Sequence, residues 1–361
     1  MKSTLHVLST CAVLVLALLL ATPALAADKP FFQGKTLRLV IDFSAGGPTD
    51  IECRIYARHL KKHLKGDPTI VVTSKPGGGG TLAMNWIYER ARRNGTVMGC
   101  QTASGRYQEW FVGDPKSVGL RANMEEIIPV MFTPVVSVGV VSTKLTPPYK
   151  QLGDLKKATN LTVGGFRADS SKDLKFRALF DLAGVKYKYV TGYQGSAGLL
   201  SAFLRDEINY VDGSTPFYLT RVKPIAVDKG EASPLWYGSD ANIPAIAPGV
   251  PARDFVKQLS GKDPEGPLWQ LFQILSSYRQ ILAPPDVPQA AVDTMRAAFA
   301  SMSKDPEFLA EYKKTVGIEP QMLTTPKGIQ NAMKPWTTAG DEMKQFRLKY
   351  VEQGRKQAGS K

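Results

Sequence analysis

An α/β fold in two lobes is what this sequence predicts, and three observations predict it. Short β-branched runs alternate with segments of helical periodicity. Glycine-rich turns stand at the junctions where a strand gives way to a helix. The chain, at 361 residues, is too long for a single core at ~150 residues per domain.

The first unit is the strand Thr36 to Phe43, the turn Phe43-Ser44-Ala45-Gly46-Gly47-Pro48-Thr49-Asp50 and a helix. Ile51, Ile55, Leu60 and Leu64 fall on one face of that helix, with Arg54, Arg58, Lys61, Lys62 and Lys65 on the other. Pro48 suits its first turn, and Thr49 and Asp50 are placed to cap it. The second unit repeats the plan with a strand at Thr69 to Thr73, the turn Lys75 to Gly80, and a helix through Leu82, Trp86, Ile87 and Ala91. A third strand, Thr96 to Thr102, runs into the small-residue turn Ala103-Ser104-Gly105. In a parallel sheet of this kind, ligands gather at the carboxyl ends of the strands, where all three turns lie.

Pro129 to Thr143 reads as one long buried strand leaving the first lobe, with a linker behind it. A second alternation follows: strand Leu161 to Gly164, loop Gly165 to Ser171, helix Leu174 to Ala183, strand Val185 to Val190, loop Gly192 to Ser196, helix Ala197 to Arg205 and strand Ile208 to Val211, ending at Asp212. Val222 to Val227 reads as a return strand toward the first lobe, and Pro- and Gly-rich loops run from Gly230 to Gly249. Gln280 to Ala283 reads as a strand; helices are expected at Val287 to Met302, Pro306 to Val316 and, as one long polar helix, Gly328 to Gly354.

Lys2, the apolar run Val7 to Leu20 and Ala24-Leu25-Ala26 have the form of a secretory signal, assigned to residues 1–26. The apolar run is short for a spanning helix, and no later run is long enough. An exported protein follows, periplasmic in a cell with two membranes. Cys53 and Cys100 remain after cleavage; a disulfide between them is permitted in an oxidising compartment, and two small buried thiols are the alternative.

The formal net charge is +14, from 46 Lys and Arg against 32 Asp and Glu. These cations are spread over the helices and form no tract interleaved with aromatics, which argues against nucleic acid and fits attraction of small anions. His59 and His63 have helical i,i+4 spacing, but two lysines lie between them and no Glu, so zinc is not expected. With His6 in the signal and no G-x-S-x-G elbow, neither a Ser-His-Asp nor a Cys-His arrangement is available for covalent hydrolysis. No cofactor is implied.

The glycine turns, a tyrosine loop and the tail carry a family resemblance. Asp42 to Asp50 is similar to the pattern PF-x-AGG-x-TD, departing from it by Asp42 for the proline and by Pro48. Thr73-Ser74-Lys75-Pro76-Gly77-Gly78-Gly79 stands for NRPGAGG, Gly192-Tyr193-Gln194-Gly195-Ser196 for PYKGS, and Leu282-Ala283-Pro284-Pro285-Asp286-Val287-Pro288 for LAP-x-x-x-P. In this order and over almost the whole mature chain, the sequence resembles the periplasmic substrate-binding proteins of tripartite tricarboxylate transporters, the Bug family. Two departures stand out. Phe166 to Asp173 replaces a serine-rich loop leading to His, and Arg93-Asn94-Gly95-Thr96 lacks the aromatic residue of PDGYT.

The resemblance implies a two-lobed, type II-like periplasmic binding protein whose lobes, each a mainly parallel sheet flanked by helices, close like a flytrap on a small carboxylate. It implies delivery to an integral membrane permease, a monomer, no nucleic acid and no enzymatic activity. Lobe 1 is expected as residues 28–137 plus 225–361 and lobe 2 as 138–224. The candidate binding residues of the first lobe are Phe43, Ser44, Ala45, Gly46, Gly47, Thr49, Asp50, Pro76, Gly77, Gly78, Gly79, Ala103 and Ser104. Those of the second are Phe166, Arg167, Ser170, Ser171, Tyr193, Gly195, Ser196 and Asp212. Backbone amides of Ala45 to Thr49 and Gly77 to Gly79 are the expected carboxylate donors. The competing reading is that the glycines only permit tight reversals, that Ser196 only caps a helix, and that the cations Arg167 and Lys172 are solvated. Two other roles stay open: an exported enzyme on an organic acid with Asp212 or Asp50 as general base, and a ligand-sensing partner of a signalling protein.

Overall fold

The computed structural model describes residues 29–193, 195–240 and 242–359, so the signal expected at 1–26 lies outside the described residues. Strands β1 (Thr36–Ile41), β2 (Thr69–Ser74), β3 (Val97–Gln101) and β4 (Ile128–Val135) build the first sheet. Strands β5 (Ser137–Ser142), β6 (Thr162–Gly164), β7 (Lys188–Val190), β8 (Tyr210–Ser214), β9 (Ala232–Tyr237) and β10 (Val250–Pro251) build the second, and β11 (Ser277–Ala283) returns to the first. The orders are β2-β1-β3-β11-β4 and β10-β9-β5-β8-β6-β7. This is the expected two-lobed α/β architecture.

Both sheets are mixed. β1 pairs in parallel with β2 and β3, and β6 with β7 and β8. The antiparallel strands are β5 and β11, the first of each pass between the sheets. The long apolar run expected as one strand is therefore two, β4 and β5, in different sheets and divided at Val136. Strands buried on both faces read as continuous apolar sequence, so the composition carries no mark of the break.

Helix α1 (Pro48–His63) starts at Pro48, and Ile55, Tyr56 and Leu60 are buried along it. Together with α8 (Gln289–Met302) and α9 (Pro306–Val316) it covers the face of the first sheet that carries Leu37, Leu39 and Ile41. The opposite face, with Val40 and Val97, packs on α2 (Thr81–Arg90), α3 (Ser104–Val112), α10 (Pro326–Thr337) and α11 (Gly340–Gly359). In the second lobe one face lies under α4 (Ser171–Ala183), α6 (Ala252–Ser260) and α7 (Gly266–Ile274), and the other under α5 (Gly195–Leu204).

Val222 to Val227, expected as a return strand, belongs to a π-helix spanning Tyr218–Val227. Tyr218, Val222 and Ala226 are its buried residues, a helical spacing that its β-branched composition conceals. The chain instead stays in the second sheet through β9 and β10, so strands beyond residue 224, expected with the first lobe, are hydrogen-bonded into the other. The single tail helix expected from Gly328 is α10 and α11, divided before Gly340, whose φ of 71° is left-handed.

Cys53 of α1 and Cys100 of β3 form a disulfide with Cα atoms 6.1 Å apart. His59 and His63 are not free surface groups: the first lies 2.7 Å from Glu311 Oε2 and the second 2.9 Å from Asp305 Oδ2, fastening α1 to α9.

Candidate functional site

Three turns leave the carboxyl ends of adjacent strands, β1 into α1, β2 into α2 and β3 into α3, so three helix N-termini open at one edge of the first sheet. Phe43 is 38% exposed at the tip of the first turn, and Ser44, Ala45 and Gly46 are exposed beside it. Pro76 to Gly79 are exposed in the second turn. Gly77, Gly78, Gly79 and Gly80 have φ of 137°, 57°, 62° and 96°, a run of left-handed backbone that side-chain-bearing residues rarely adopt.

The first turn satisfies part of its own cradle. Gly46 N–H donates to Asp50 Oδ2 at 2.8 Å and Gly47 N–H to Ser44 O at 3.3 Å, while Pro48 has no N–H. Asp50 also accepts from Arg54 Nε at 2.8 Å, so it shapes the turn, and no side chain caps the helix as had been expected of Asp50 and Thr49. Thr49 is buried and its hydroxyl accepts from Arg279 Nη1 at 2.7 Å. The amides of Gly77, Gly78 and Gly79 have no intrachain acceptor among the described residues, which leaves the second turn as the more open donor set.

Arg106, on the first turn of α3, ties the three turns together. Its Nη2 donates to Asp42 Oδ2 at 2.6 Å and to Thr102 O, and its Nη1 to Gly79 O at 2.5 Å. Asp42 also accepts from Thr102 N–H at 3.1 Å. A Cβ at Gly80 would stand 2.7 Å from Arg106 Nη1, so the glycine is needed for the guanidinium to approach. Burial pushes the Asp42 carboxyl up and the Arg106 guanidinium down, and their pairing opposes both. Asp42, one of the departures from the family motif, thus anchors the site from beneath. A second buried guanidinium, Arg279 of β11, reaches Thr49, Thr102 and Glu52, the last at 2.8 Å.

Of the third turn, Ala103 and Ser104 are buried. Ser104 Oγ accepts from Tyr278 N–H at 2.8 Å, so it fastens α3 to β11 and its side chain is spent on the scaffold.

Opposite lie the loops after β6, β7 and β8. Asp173 organises the first of them. It accepts from Phe166 N–H at 3.0 Å, Ser170 Oγ at 2.7 Å and Tyr189 Oη at 2.6 Å, while Ser170 Oγ accepts from Asp173 N–H at 3.1 Å as the cap of α4. Where the family pattern leads to His, this chain holds its loop in one shape by a buried carboxylate. Arg167 is exposed and paired with Asp169 at 3.0 Å, and Phe166 is half-buried under Lys172 Nζ, 4.9 Å from its ring centre. Tyr193 is half-buried, with its N–H on Gly165 O at 3.3 Å; Gly195 and Ser196 begin α5.

Asp212, expected just past a strand end, lies in the middle of β8, which runs on to Ser214 in pairing with β5; it is buried and its partner is Lys172. Burial raises its carboxyl above the usual range and the ammonium opposes that rise. The two jaws touch where Ser171 Oγ meets Gln108 Oε1 at 2.5 Å, bringing the start of α4 against α3. Arg347 of α11 bridges the same seam, paired with Glu109 and donating to Asp169 O at 3.4 Å. A recess of about 290 Å³ lined by Arg38, Trp86, Arg90 and Arg92 lies away from this edge, where β1 and β3 begin.

Sequence reasoning missed Arg106, Arg279 and Lys175, whose ammonium group is also buried at this seam. Among the described residues no group of three or more His, Cys, Asp or Glu could hold a metal ion.

The architecture has solved counterparts. The structure of the periplasmic binding protein BugD superposes with a TM-score of 0.65 at 19% identity, over 88% of this chain and 98% of that one. An R. palustris protein solved with adipate gives 0.67 at 17% identity, with the same coverage of both chains. The chain has the two-lobed fold of these two proteins. In sequence, a UPF0065 protein of Bordetella pertussis is 24% identical over 310 residues, 84% of this chain and 87% of its own length. No family model matches the chain. The likeness in fold thus extends over 88% of the chain, well beyond the glycine turns.

Proposed function

We propose that this chain is an exported solute receptor that holds a small organic carboxylate between its lobes and presents it to a membrane permease. The observation that carries the reading is the jaw of three helix-opening turns, with unused amides at Gly77 to Gly79 and Arg106 fixing the turns relative to one another. Fixed backbone donors bind a carboxylate without ordering a flexible side chain. The exposed ring of Phe43 offers an apolar neighbour for the solute's hydrocarbon part. Adipate in a protein of the same fold supports a carboxylate as the solute class, and periplasmic neighbours together with the Cys53–Cys100 bridge support export to an oxidising compartment.

The enzymatic alternative loses its two candidate bases. Asp50 is occupied by Gly46 N–H and Arg54, and Asp212 by Lys172. Receptor, not catalyst, is the reading these pairings support. Thermal unfolding with acetate, malate, adipate, citrate, benzoate and glutamate, each solute assayed afterwards, tests it. One class of carboxylate raises the melting temperature by mass action and is recovered unchanged. Chemical conversion of the solute would sink the receptor reading. Gly78→Val, which forces a β-branched residue to φ of 57°, removes that shift; an unaltered shift would show the turn to be structural only.

A further inference from the structure

At the base of the seam, where the chain crosses between sheets, α4 buries a second lysine. Lys175 is only 6% exposed, and the contacts of its Nζ are Ser137 Oγ at 3.3 Å and Ser277 Oγ at 3.5 Å. Ser137 begins β5 and Ser277 begins β11, so the ammonium sits between the first residues of the two strands that pass between lobes. An ammonium has three donors and prefers N–H···O distances of about 2.7–3.2 Å, so these two contacts leave it poorly paired.

The local charge is unbalanced as well. Asp212 is already held by Lys172, one helical turn before Lys175. Asp173, the other buried carboxylate of the helix start, is engaged by Phe166 N–H, Ser170 and Tyr189. Two lysines thus share one available acidic partner, and a buried cation without its own counter-ion is costly. An incoming carboxylate would supply that counter-ion.

We infer that Lys175 is a ligand-binding residue of the receptor, receiving one carboxylate of the solute at the floor of the interlobe cleft. The inference rests on the receptor reading and adds a side-chain cation to a site otherwise built from backbone amides. It divides the solute between two anchors, one end on the glycine turns and one on Lys175, which favours dicarboxylates over monocarboxylates.

The state of the free lysine agrees. Burial pushes its ammonium down to about 8, with Asp212 of β8 the charged group opposing that; the groups of β5 and β11 in contact with it are hydroxyls, and Arg279 of β11 is engaged by Glu52. A bound anion stabilises the ammonium, so the protein takes up protons on binding near pH 8, and affinity falls as pH rises through that value.

Calorimetric titration of wild type and Lys175→Met with acetate, malate, adipate, citrate and benzoate, at pH 8 in two buffers of different ionisation enthalpy, is the test. The expected result is that wild type binds a dicarboxylate with net proton uptake. Lys175→Met should melt no lower than wild type, bind the same solute at least tenfold more weakly, and take up no proton. Lys175→Arg, which keeps the charge, should retain more of the affinity than Lys175→Met. Equal affinity and equal proton uptake in wild type and Lys175→Met would overturn this inference while leaving the receptor intact. A wild type that binds none of the five would overturn both.

Discussion

Asp42 and Arg106 are where single residues matter most. The guanidinium serves three turns at once, so Arg106→Met unpins all three and strands a buried carboxylate. The expected cost is about 3–5 kcal/mol in denaturant unfolding, the range for breaking a buried pair from one side. Adding Asp42→Asn to Arg106→Met should recover part of it; no recovery would show that Asp42 is not the partner left stranded. Sequence reading located Asp42 as a departure from a motif but not its purpose, because the partner lies 64 positions on and no local pattern joins them. Lys175 was hidden for a related reason: a lysine in a helix reads as solvated, and only packing shows it among Leu174, Ala178 and Leu179 in the buried part of α4.

Asp305 gives the acid response of the first lobe. Lys62 and His63 hold its carboxyl well below the ordinary 3.8, with the Glu307 amide adding to the effect. A carboxyl lowered in the folded state contributes stability above its unfolded value and loses it as pH falls. Thermal melts should therefore show Asp305→Asn least stable relative to wild type near neutrality, the gap closing below about pH 4. A gap constant with pH would mean the carboxylate charge is not what holds α1 to α9.

At the scale of elements, the disulfide joins the first helix of the first lobe to its central strand β3. Cross-linking residues 47 apart restricts the unfolded chain, and the loop-entropy account gives about 4 kcal/mol for a loop of that order. Replacing both cysteines with serine should lower the denaturation midpoint and steepen the slope, because the uncrosslinked unfolded chain exposes more surface. A variant as stable as wild type would refute a stabilising role for the bridge.

Elements whose ends carry local chemistry were legible in the sequence. Pro48 opens α1 and Pro306 opens α9. Gly184 closes α4 with φ of 67°. The glycine run before α2 was legible as a special turn because nothing else tolerates four successive left-handed residues. What failed was whatever depended on distant pairing. The β4–β5 division follows from the chain changing sheets, and β9 and α7 follow from burial against β5 and α4, none of which a window of sequence contains.

For the whole molecule, α11 is one of the elements that touch both lobes. Arg347 pairs with Glu109 of α3 and donates to Asp169 O, while Tyr350 O accepts from Arg177 Nη2 of α4 at 3.1 Å and the guanidinium stacks 4.4 Å above the Tyr350 ring. The helix ties the seam through Glu109 of α3 and Arg177 of α4, so closure is expected to pivot beside it. Arg347→Met should weaken that tie, shown by faster hydrogen exchange in α11 and the β6–α4 loop, while the glycine turns keep their protection.

The candidate site as a whole was legible as a set of loops and not as a set of contacts. Both jaws were named from turns at strand ends, but Thr49, Ser104 and Asp212 proved committed to Arg279, Tyr278 N–H and Lys172. Among the described residues, the groups left to a solute include the amides of Gly77 to Gly79 and the ring of Phe43, with the buried, poorly paired ammonium of Lys175 beside the seam. The measurement that tests their joint purpose most directly is a crystal structure of the protein grown with adipate. The account predicts one carboxylate on the Gly77 to Gly79 amides, the other directed toward Lys175, and the lobes closed over an unaltered solute. An empty cleft at saturating adipate, malate and citrate, or a solute bound elsewhere, would contradict it.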